Sequence, residues 1–278
     1  MTAGVMLHTF EVADWAEGAT NLIIPVFRVL LLLTLAYILI AGAVYVFQRT
    51  LVFHPTHHDV ETGMEPRWVD GRQIGYVRAA ESPSGVWLVL HGNGGQAAHR
   101  DYLLQYVADD VTVYVMEYPG YGQRQGLATA QTFNDAAISA YASIRFQHGS
   151  IPMGVMGESI GSGPASLLSL VALTPEKIVL LVPFDQLHRV AGARFPWLPV
   201  KWLMRDQWNN VATLEKYTGP IEIYAARDDE VIPFKHAQAL ANALPGARLI
   251  EMSGGHSSWE FEDRFELPRR AGLAADPL

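Results

Sequence analysis

The sequence predicts an α/β domain with a mostly parallel central sheet, preceded by one helix that crosses a membrane. Short apolar runs alternate with longer helical stretches, and a long uncharged segment stands near the N-terminus. Runs that are apolar at nearly every position are typical of strands covered on both faces. Because strands that alternate with helices form βαβ units, we expect helices on both faces of a parallel sheet.

Seven runs are predicted to be strands: 73–78, 86–90, 111–116, 153–156, 177–182, 221–226 and 248–252. The helices predicted between them cover 129–147, 162–172 and 234–244. An aromatic-rich segment at about 184–216 interrupts the alternation and is predicted to be a small cap. Its aromatic side chains either line a pocket for an apolar acyl group or form the cap's own core.

Composition limits the classes of function. The 278 residues are 50% hydrophobic and can bury one large core, which we expect to lie in a single domain over 71–278. A net charge of −8 without a dense basic patch argues against nucleic acid as a partner. The absence of cysteine excludes disulfides, thiolate metal sites and a cysteine nucleophile. The composition does not distinguish a monomer from an oligomer.

The segment 22–48 is predicted to be a transmembrane helix that binds the lipid bilayer. No charge or proline interrupts it from Val29 to Phe47. At about 1.5 Å per residue, the segment is long enough for the ~30 Å hydrocarbon core of a bilayer. Two alternatives are a cleaved signal peptide, with Ala41-Gly42-Ala43 as the cleavage motif, and a buried core helix.

The regions that flank this helix are predicted to be an N-terminal segment, 1–21, and a juxtamembrane linker, 49–70. Arginines at both ends of the helix leave its orientation undetermined. The linker contains four side chains of the metal-binding kind: His54, His57, His58 and Asp59. Because no second ligand cluster follows at a suitable spacing, a solvated linker is favoured and no metal site is predicted.

A sharp turn between a strand and a helix is predicted at Gly157-Glu158-Ser159-Ile160-Gly161. Side chains two residues before and after Ser159 would collide with neighbouring backbone, and the two glycines remove those collisions. The serine hydroxyl is then exposed at the carboxyl edge of the sheet. A turn of small residues without catalytic function is the alternative.

A serine hydroxyl needs a base within hydrogen-bond reach before it can act as a nucleophile near neutral pH. His256 follows the last predicted strand, where a parallel sheet returns it to the side of Ser159. His91 also follows a strand and is the alternative base, although shaping its own loop is the favoured role. We therefore predict that His256 is the base.

The base in turn needs a carboxylate that holds it in one tautomer. Asp229 follows the penultimate strand and completes the chain order serine, aspartate, histidine. The adjacent Asp228 is one alternative. Asp185 is another, because it follows the preceding strand.

The tetrahedral intermediate of acyl transfer carries an oxyanion that backbone amides can stabilise. The turn supplies the amide of Ile160. The second amide is expected from the loop after strand 86–90, with Asn93 favoured and Gly94 next. A tight glycine turn that binds no ligand is the alternative.

Five motifs carry a resemblance to a known family: His91-Gly92-Asn93-Gly94-Gly95, Glu117-Tyr118-Pro119-Gly120-Tyr121-Gly122, Gly157-Glu158-Ser159-Ile160-Gly161, Asp229-Glu230-Val231-Ile232-Pro233 and Gly255-His256. In this order they resemble the α/β-hydrolase superfamily, and within it the membrane-anchored serine hydrolases with a single N-terminal transmembrane helix and a compact cap. The resemblance covers roughly 70–265. The chain departs from the family pattern at Gln123-Arg124-Gln125, where a serine or small residue is usual.

The resemblance implies an α/β-hydrolase fold with Ser159 as nucleophile, Asp229 as orienting acid and His256 as base. It implies Asn93 and Ile160 as oxyanion donors, and neither a metal nor an organic cofactor. The expected reaction is cleavage of an ester, thioester or related acyl bond in a small-molecule, lipid or acylated substrate. The alternatives are a peptidase or amidase of the same fold and a non-catalytic interaction protein. No substrate-binding residue is predicted.

Overall fold

The computed structural model describes residues 6–259, with side chains from residue 24 onward. The chain forms two compact units, whose boundary lies between Gln48 and Arg49. Each unit is described separately below.

The first unit is dominated by one long helix. Helix α1 runs from Met6 to Val52, and its part from Ile24 to Val52 is long and apolar enough to cross a membrane. The apolar side chains of this part are exposed. This exposure argues against the buried core helix that the sequence left open. Over the described residues, the predicted segments 1–21 and 22–48 form one continuous helix.

The second unit is built on a sheet of eight strands: β1 Glu65–Val69, β2 Arg72–Arg78, β3 Gly85–Leu90, β4 Val111–Met116, β5 Met153–Glu158, β6 Lys177–Leu181, β7 Ile221–Ala226 and β8 Ala247–Met252. Their spatial order is β1-β2-β4-β3-β5-β6-β7-β8. β1 and β2 pair antiparallel with their neighbours, and the other pairs are parallel. The predicted mostly parallel sheet is confirmed.

Strand β1 lies inside the predicted linker 49–70 and was not predicted. Its sequence, Glu-Pro-Arg-Trp-Val, mixes charged and apolar residues and is largely exposed, as suits an edge strand. It turns into β2 through Asp70 and Gly71, which have φ angles of 49° and 72°. An Asp-Gly pair between two strands is a strong hairpin signal. That signal could have located β1.

Short helices pack against the sheet and complete the domain: α2 Ala130–His148, α3 Ser162–Leu167, α4 Leu187–Arg194, α5 Val200–Leu203, α6 Asn210–Leu214 and α7 Lys235–Ala243. A 3-10 helix covers Ala97–Tyr106. Side chains of α2, α3 and α7 share one buried cluster with alternate residues of β3. The other residues of β3 pack against the 3-10 helix. Successive side chains of a strand point to opposite faces, so both faces of the sheet are buried.

Candidate active site

The turn after β5 holds Ser159 in a strained backbone conformation. Its φ angle is 51°, in the left-handed region that residues with a side chain seldom adopt. A Cβ on Gly157 would lie 2.6 Å from the carbonyl oxygen of Gly161, and one on Gly161 would lie 2.1 Å from that of Leu90. Neither position tolerates a side chain, as the sequence predicted for this turn.

Three predicted site residues meet at the carboxyl edge of the sheet. Nε2 of His256 lies 2.9 Å from Oγ of Ser159, and Nδ1 of His256 lies 2.8 Å from Oδ2 of Asp229. Because an ionised carboxylate only accepts hydrogen bonds, Nδ1 donates to Asp229 and Nε2 is left to accept from the serine hydroxyl. This arrangement can draw the proton from Ser159.

Asp229 is held firmly by its own loop. Its Oδ1 accepts hydrogen bonds from the amides of Val231 and Ile232, at 2.8 and 2.7 Å. The side chain is therefore oriented before it meets His256. Asp228, the adjacent alternative, is exposed, and its amide donates to the carbonyl of Gly254.

Asp185, the second alternative acid, pairs with a different histidine. Its Oδ1 lies 2.8 Å from Nδ1 of His236, and its Oδ2 forms an ion pair with Arg189. Burial opposes ionisation of Asp185, but hydrogen bonds from His236 and from the amide of Gln186 lower its pKa. The structure thus brings Asp229, and not Asp185, to His256.

His91, the alternative base, is fully buried in its loop. Its Nδ1 lies 2.8 Å from the carbonyl oxygen of Gly92, and its Nε2 lies 3.0 Å from Oε1 of Glu117. The other carboxylate oxygen of Glu117 accepts from the amide of Ala97. These contacts fix the course of the loop after β3, which is the role the sequence favoured for His91.

The side chain of Asn93 ties the same loop to the segment that follows α1. Its Nδ2 donates to the carbonyl of Val52 at 2.6 Å, and its Oδ1 accepts from the amide of His54 at 2.8 Å. The hydroxyl of Tyr121 also donates to Oδ1, at 2.6 Å. These contacts occupy the side-chain amide of Asn93, and the residue lines the same cleft as Ser159.

Arg100 joins this loop to the turn that carries the serine. Its Nε and Nη2 donate to both carboxylate oxygens of Glu158, at 2.7 and 3.0 Å. A Cβ on Gly92 would lie 2.7 Å from Glu158, and one on Gly95 would lie 2.7 Å from Arg100, so the ion pair rests directly on the loop backbone. Burial opposes ionisation of Glu158, but the charge and hydrogen bonds of Arg100 lower its pKa.

A cleft of about 340 Å³ opens beside the serine. It is lined by polar and aromatic residues: Asn93, Gly94, Arg100, Tyr102, Tyr106, Glu158, Ser159, His256, Ser257 and Trp259. Among the described residues, neither the cap nor the segment 123–125 contributes to this lining. Sequence reasoning missed Arg100, Tyr102, Tyr106 and Trp259. No motif marks them, because they reach the cleft from a 3-10 helix and a loop.

The tryptophans of the cap take neither predicted role. Trp208 is buried in the core of the whole domain, where its ring contacts those of Phe53 and Phe133, and Leu198 and Met204 are also buried. Trp197 and Trp202 are 49% and 83% exposed. Neither group lines the cleft beside Ser159.

Two histidines of the predicted juxtamembrane linker, His57 and His58, contact other parts of the domain. Nδ1 of His57 lies 3.0 Å from the carbonyl of Gly122, and the ring of His58 lies 5.3 Å from that of His99. Over the part of the chain that the structure describes, no group of three or more potential ligands could hold a metal ion.

Comparison with known sequences finds distant relatives. No family model matches the chain. An uncharacterized protein of Mycobacterium tuberculosis is 26% identical over 246 residues, covering 81% of this chain and 87% of that protein. The mouse lysophosphatidylserine lipase ABHD12 is 24% identical over 227 residues, covering 71% of this chain and 57% of the lipase.

Comparison with solved structures finds the same architecture. A crystal structure of the Thermus thermophilus protein TT1662 matches with a TM-score of 0.58 at 20% identity, covering 71% of this chain and 92% of that chain. The Pyrococcus furiosus esterase Pf2001 matches with a TM-score of 0.55 at 16% identity, covering 73% and 91%. At these identities the likeness establishes a shared fold, while the activity needs a separate argument.

Proposed function

The chain has the α/β-hydrolase fold, and on that premise we propose that it is a membrane-anchored serine hydrolase that cleaves acyl esters. The observation that carries the proposal is the chain of contacts from Ser159 through His256 to Asp229, at 2.9 and 2.8 Å. The names of relatives, a lipase and an esterase, agree with it.

In the first half of the reaction, Nε2 of His256 takes the proton of Ser159 as Oγ attacks the carbonyl carbon of the ester. The carbonyl π electrons move to its oxygen and form a tetrahedral oxyanion. As this intermediate collapses, the ester C–O bond breaks and His256 returns the proton to the leaving alcohol. The product is an acyl ester on Ser159.

In the second half, His256 takes a proton from water, and the resulting hydroxide oxygen attacks the acyl carbon. Collapse of the second intermediate breaks the bond to Oγ, and the proton on His256 returns to Ser159. Asp229 stays ionised throughout, keeps the imidazole in the required tautomer and stabilises the imidazolium. The acid product leaves as the enzyme regains its starting state.

The amides of Ile160 and Asn93 are the proposed donors to the oxyanion. Removing one such donor costs about 10²–10³-fold in rate in other hydrolases. Two sets of contacts support this assignment: the ion pair of Arg100 with Glu158 holds the loop beside the turn, and the hydrogen bonds of Asn93 with Val52 and His54 fix the loop at Asn93.

The proposed substrate is an acyl ester with a polar alcohol portion, such as a monoacyl phospholipid. Two features support this class: the polar and aromatic lining of the cleft, and the proposed anchoring of the enzyme in a bilayer through Ile24–Val52.

The test is turnover by the full-length protein in proteoliposomes, assayed with p-nitrophenyl esters and with monoacyl phospholipids. Ser159→Ala should lower kcat by up to about 10⁶-fold. Ser169→Ala is the matched control, because its hydroxyl is buried but donates to the carbonyl of Thr213 and lies outside the cleft lining. Equal turnover by Ser159→Ala and the wild-type protein would refute the proposed function.

A further inference from the structure

The cap exposes two large aromatic side chains next to basic ones. Trp202 is 83% and Trp197 is 49% exposed, and Lys201 and Arg205, close to them in sequence, are also exposed. We call these four residues the cap face. Large exposed apolar side chains rimmed by polar ones mark interaction surfaces. Tryptophan and cationic residues together are typical of the zone where a protein meets lipid headgroups.

The charge of the cap differs in sign from that of the chain. Residues 187–205 contain four basic side chains, at 189, 194, 201 and 205, and no acidic one, although the charge of Arg189 is balanced by its ion pair with Asp185. The whole chain carries a net charge of −8. The next acidic residue, Asp206, is buried and paired, so it does not neutralise the cap face. A local cationic surface on an acidic protein complements anionic lipids, which attract nearby lysines and arginines.

The residues that follow the cap face, Asp206 and Trp208, contact the residues where the chain leaves α1. Nε of Arg49, in the last turn of α1, lies 2.8 Å from Oδ2 of Asp206, which directly follows Arg205. Phe53, just after the helix, packs edge-on against Trp208, with ring centroids 6.4 Å apart. Both contacts lie within the second unit. Arg49 and Phe53 directly follow the apolar segment along the chain, so these contacts tie the end of the cap to the part of the domain that comes next to the proposed anchor in sequence.

We propose that the cap face lies against the anionic headgroups of the bilayer that holds α1. The rings of Trp197 and Trp202 enter the interfacial zone, and Lys201 and Arg205 pair with lipid phosphates and carboxylates. This inference rests on the proposed membrane anchoring. It adds a second, electrostatic membrane contact, which presents the domain to its lipid substrate in one orientation.

Single nitroxide labels can test this contact, because the chain has no native cysteine that would react. Trp202→Cys reports on the cap face and Leu39→Cys on the apolar part of α1. Trp68→Cys is the matched control, since Trp68 is 58% exposed on the edge strand β1. Each full-length variant is placed in phosphatidylcholine vesicles with and without phosphatidylserine. Accessibility to oxygen and to a water-soluble nickel chelate then gives the depth of each label.

The label at 39 should be reached by oxygen and not by nickel in both vesicles. The label at 202 should lose nickel accessibility severalfold when phosphatidylserine is present, and regain it in a Lys201→Glu, Arg205→Glu background or at high salt. The label at 68 should stay accessible to nickel throughout.

A label at 202 that stays open to nickel, while that at 39 is in lipid, would overturn the cap contact and leave the anchor in place. A label at 39 that is open to nickel would instead refute the anchoring. Protection at 202 that persists in non-ionic detergent and increases with protein concentration would indicate a second copy of the chain, and would also overturn the inference.

Discussion

Two carboxylate–histidine pairs at the carboxyl edge of the sheet share nearly the same local geometry. Asp229 follows β7 and Asp185 follows β6, and each lies 2.8 Å from Nδ1 of a histidine. They differ in what the other imidazole nitrogen meets. Nε2 of His256 faces the hydroxyl of Ser159, whereas Nε2 of His236 is buried and has no hydrogen-bond partner among the described residues.

A carboxylate–histidine pair is therefore not sufficient to make the histidine a catalytic base. His236 is only 4% exposed, and its aspartate is further held by Arg189 and by the amide of Gln186. Such a pair orders the start of the cap, but no substrate atom can reach it. His256 lines a cleft beside Ser159, whose φ angle is positive. Access and an opposing nucleophile, more than the carboxylate, separate the proposed catalytic pair from the buried one.

The largest effect should come from neutralising one carboxylate of each pair. Asp229→Asn should lower kcat by up to ~10⁴-fold, because His256 would then carry its proton on Nε2, facing the serine. Asp185→Asn should leave kcat within the same order of magnitude. Steady-state kinetics on a soluble ester would measure both. A greater loss of kcat in Asp185→Asn than in Asp229→Asn would show that Asp185, and not Asp229, is the acid.

Replacing His236 and His256 one at a time should show which pair stabilises the fold and which supports turnover. His236→Ala leaves Asp185 buried with one partner fewer, at a cost of about 3 kcal/mol. For a domain of this size that cost lowers Tm by roughly 6–12 °C. His256→Ala should abolish turnover and keep Tm close to that of the wild-type protein. Thermal unfolding followed by tryptophan fluorescence measures the two shifts, and equal shifts would contradict the assigned roles.

A smaller effect is expected from a substitution in the loop after β3, which lines the cleft beside Ser159. Asn93→Ala keeps the backbone amide but removes the hydrogen bonds to Val52, His54 and Tyr121. We expect kcat to fall about tenfold with little change in KM, because a looser donor stabilises the transition state more than the bound ester. A change in KM alone would show that the loop acts in substrate binding instead.

Most of the sheet could be predicted from sequence for a physical reason. Strands covered on both faces must be apolar, so apolar runs locate β3 to β7 to within two residues at each end, whereas β8, the other edge strand, is only partly buried. The apolar pattern did not predict strand β1, because β1 is an exposed edge strand that contains charged residues. The signal that remained there was its Asp-Gly turn.

The candidate site was only partly predictable. The serine turn can be recognised from Gly157 and Gly161, whose close backbone contacts leave no room for a Cβ. The choice between Asp229 and Asp185 was open, because both follow neighbouring strands and sequence does not tell which histidine each one meets. Arg100 was missed because its partner, Glu158, is distant in sequence and no spacing rule connects them.

The most direct test of the account is to locate the reactive side chain in the full-length protein by labelling with a fluorophosphonate and peptide mass spectrometry. The account predicts a single adduct on Ser159 in the wild-type protein, with much slower labelling in His256→Ala and unchanged labelling in His236→Ala. An adduct on another residue, or equal labelling rates in the two histidine variants, would contradict the claim that His256 activates Ser159.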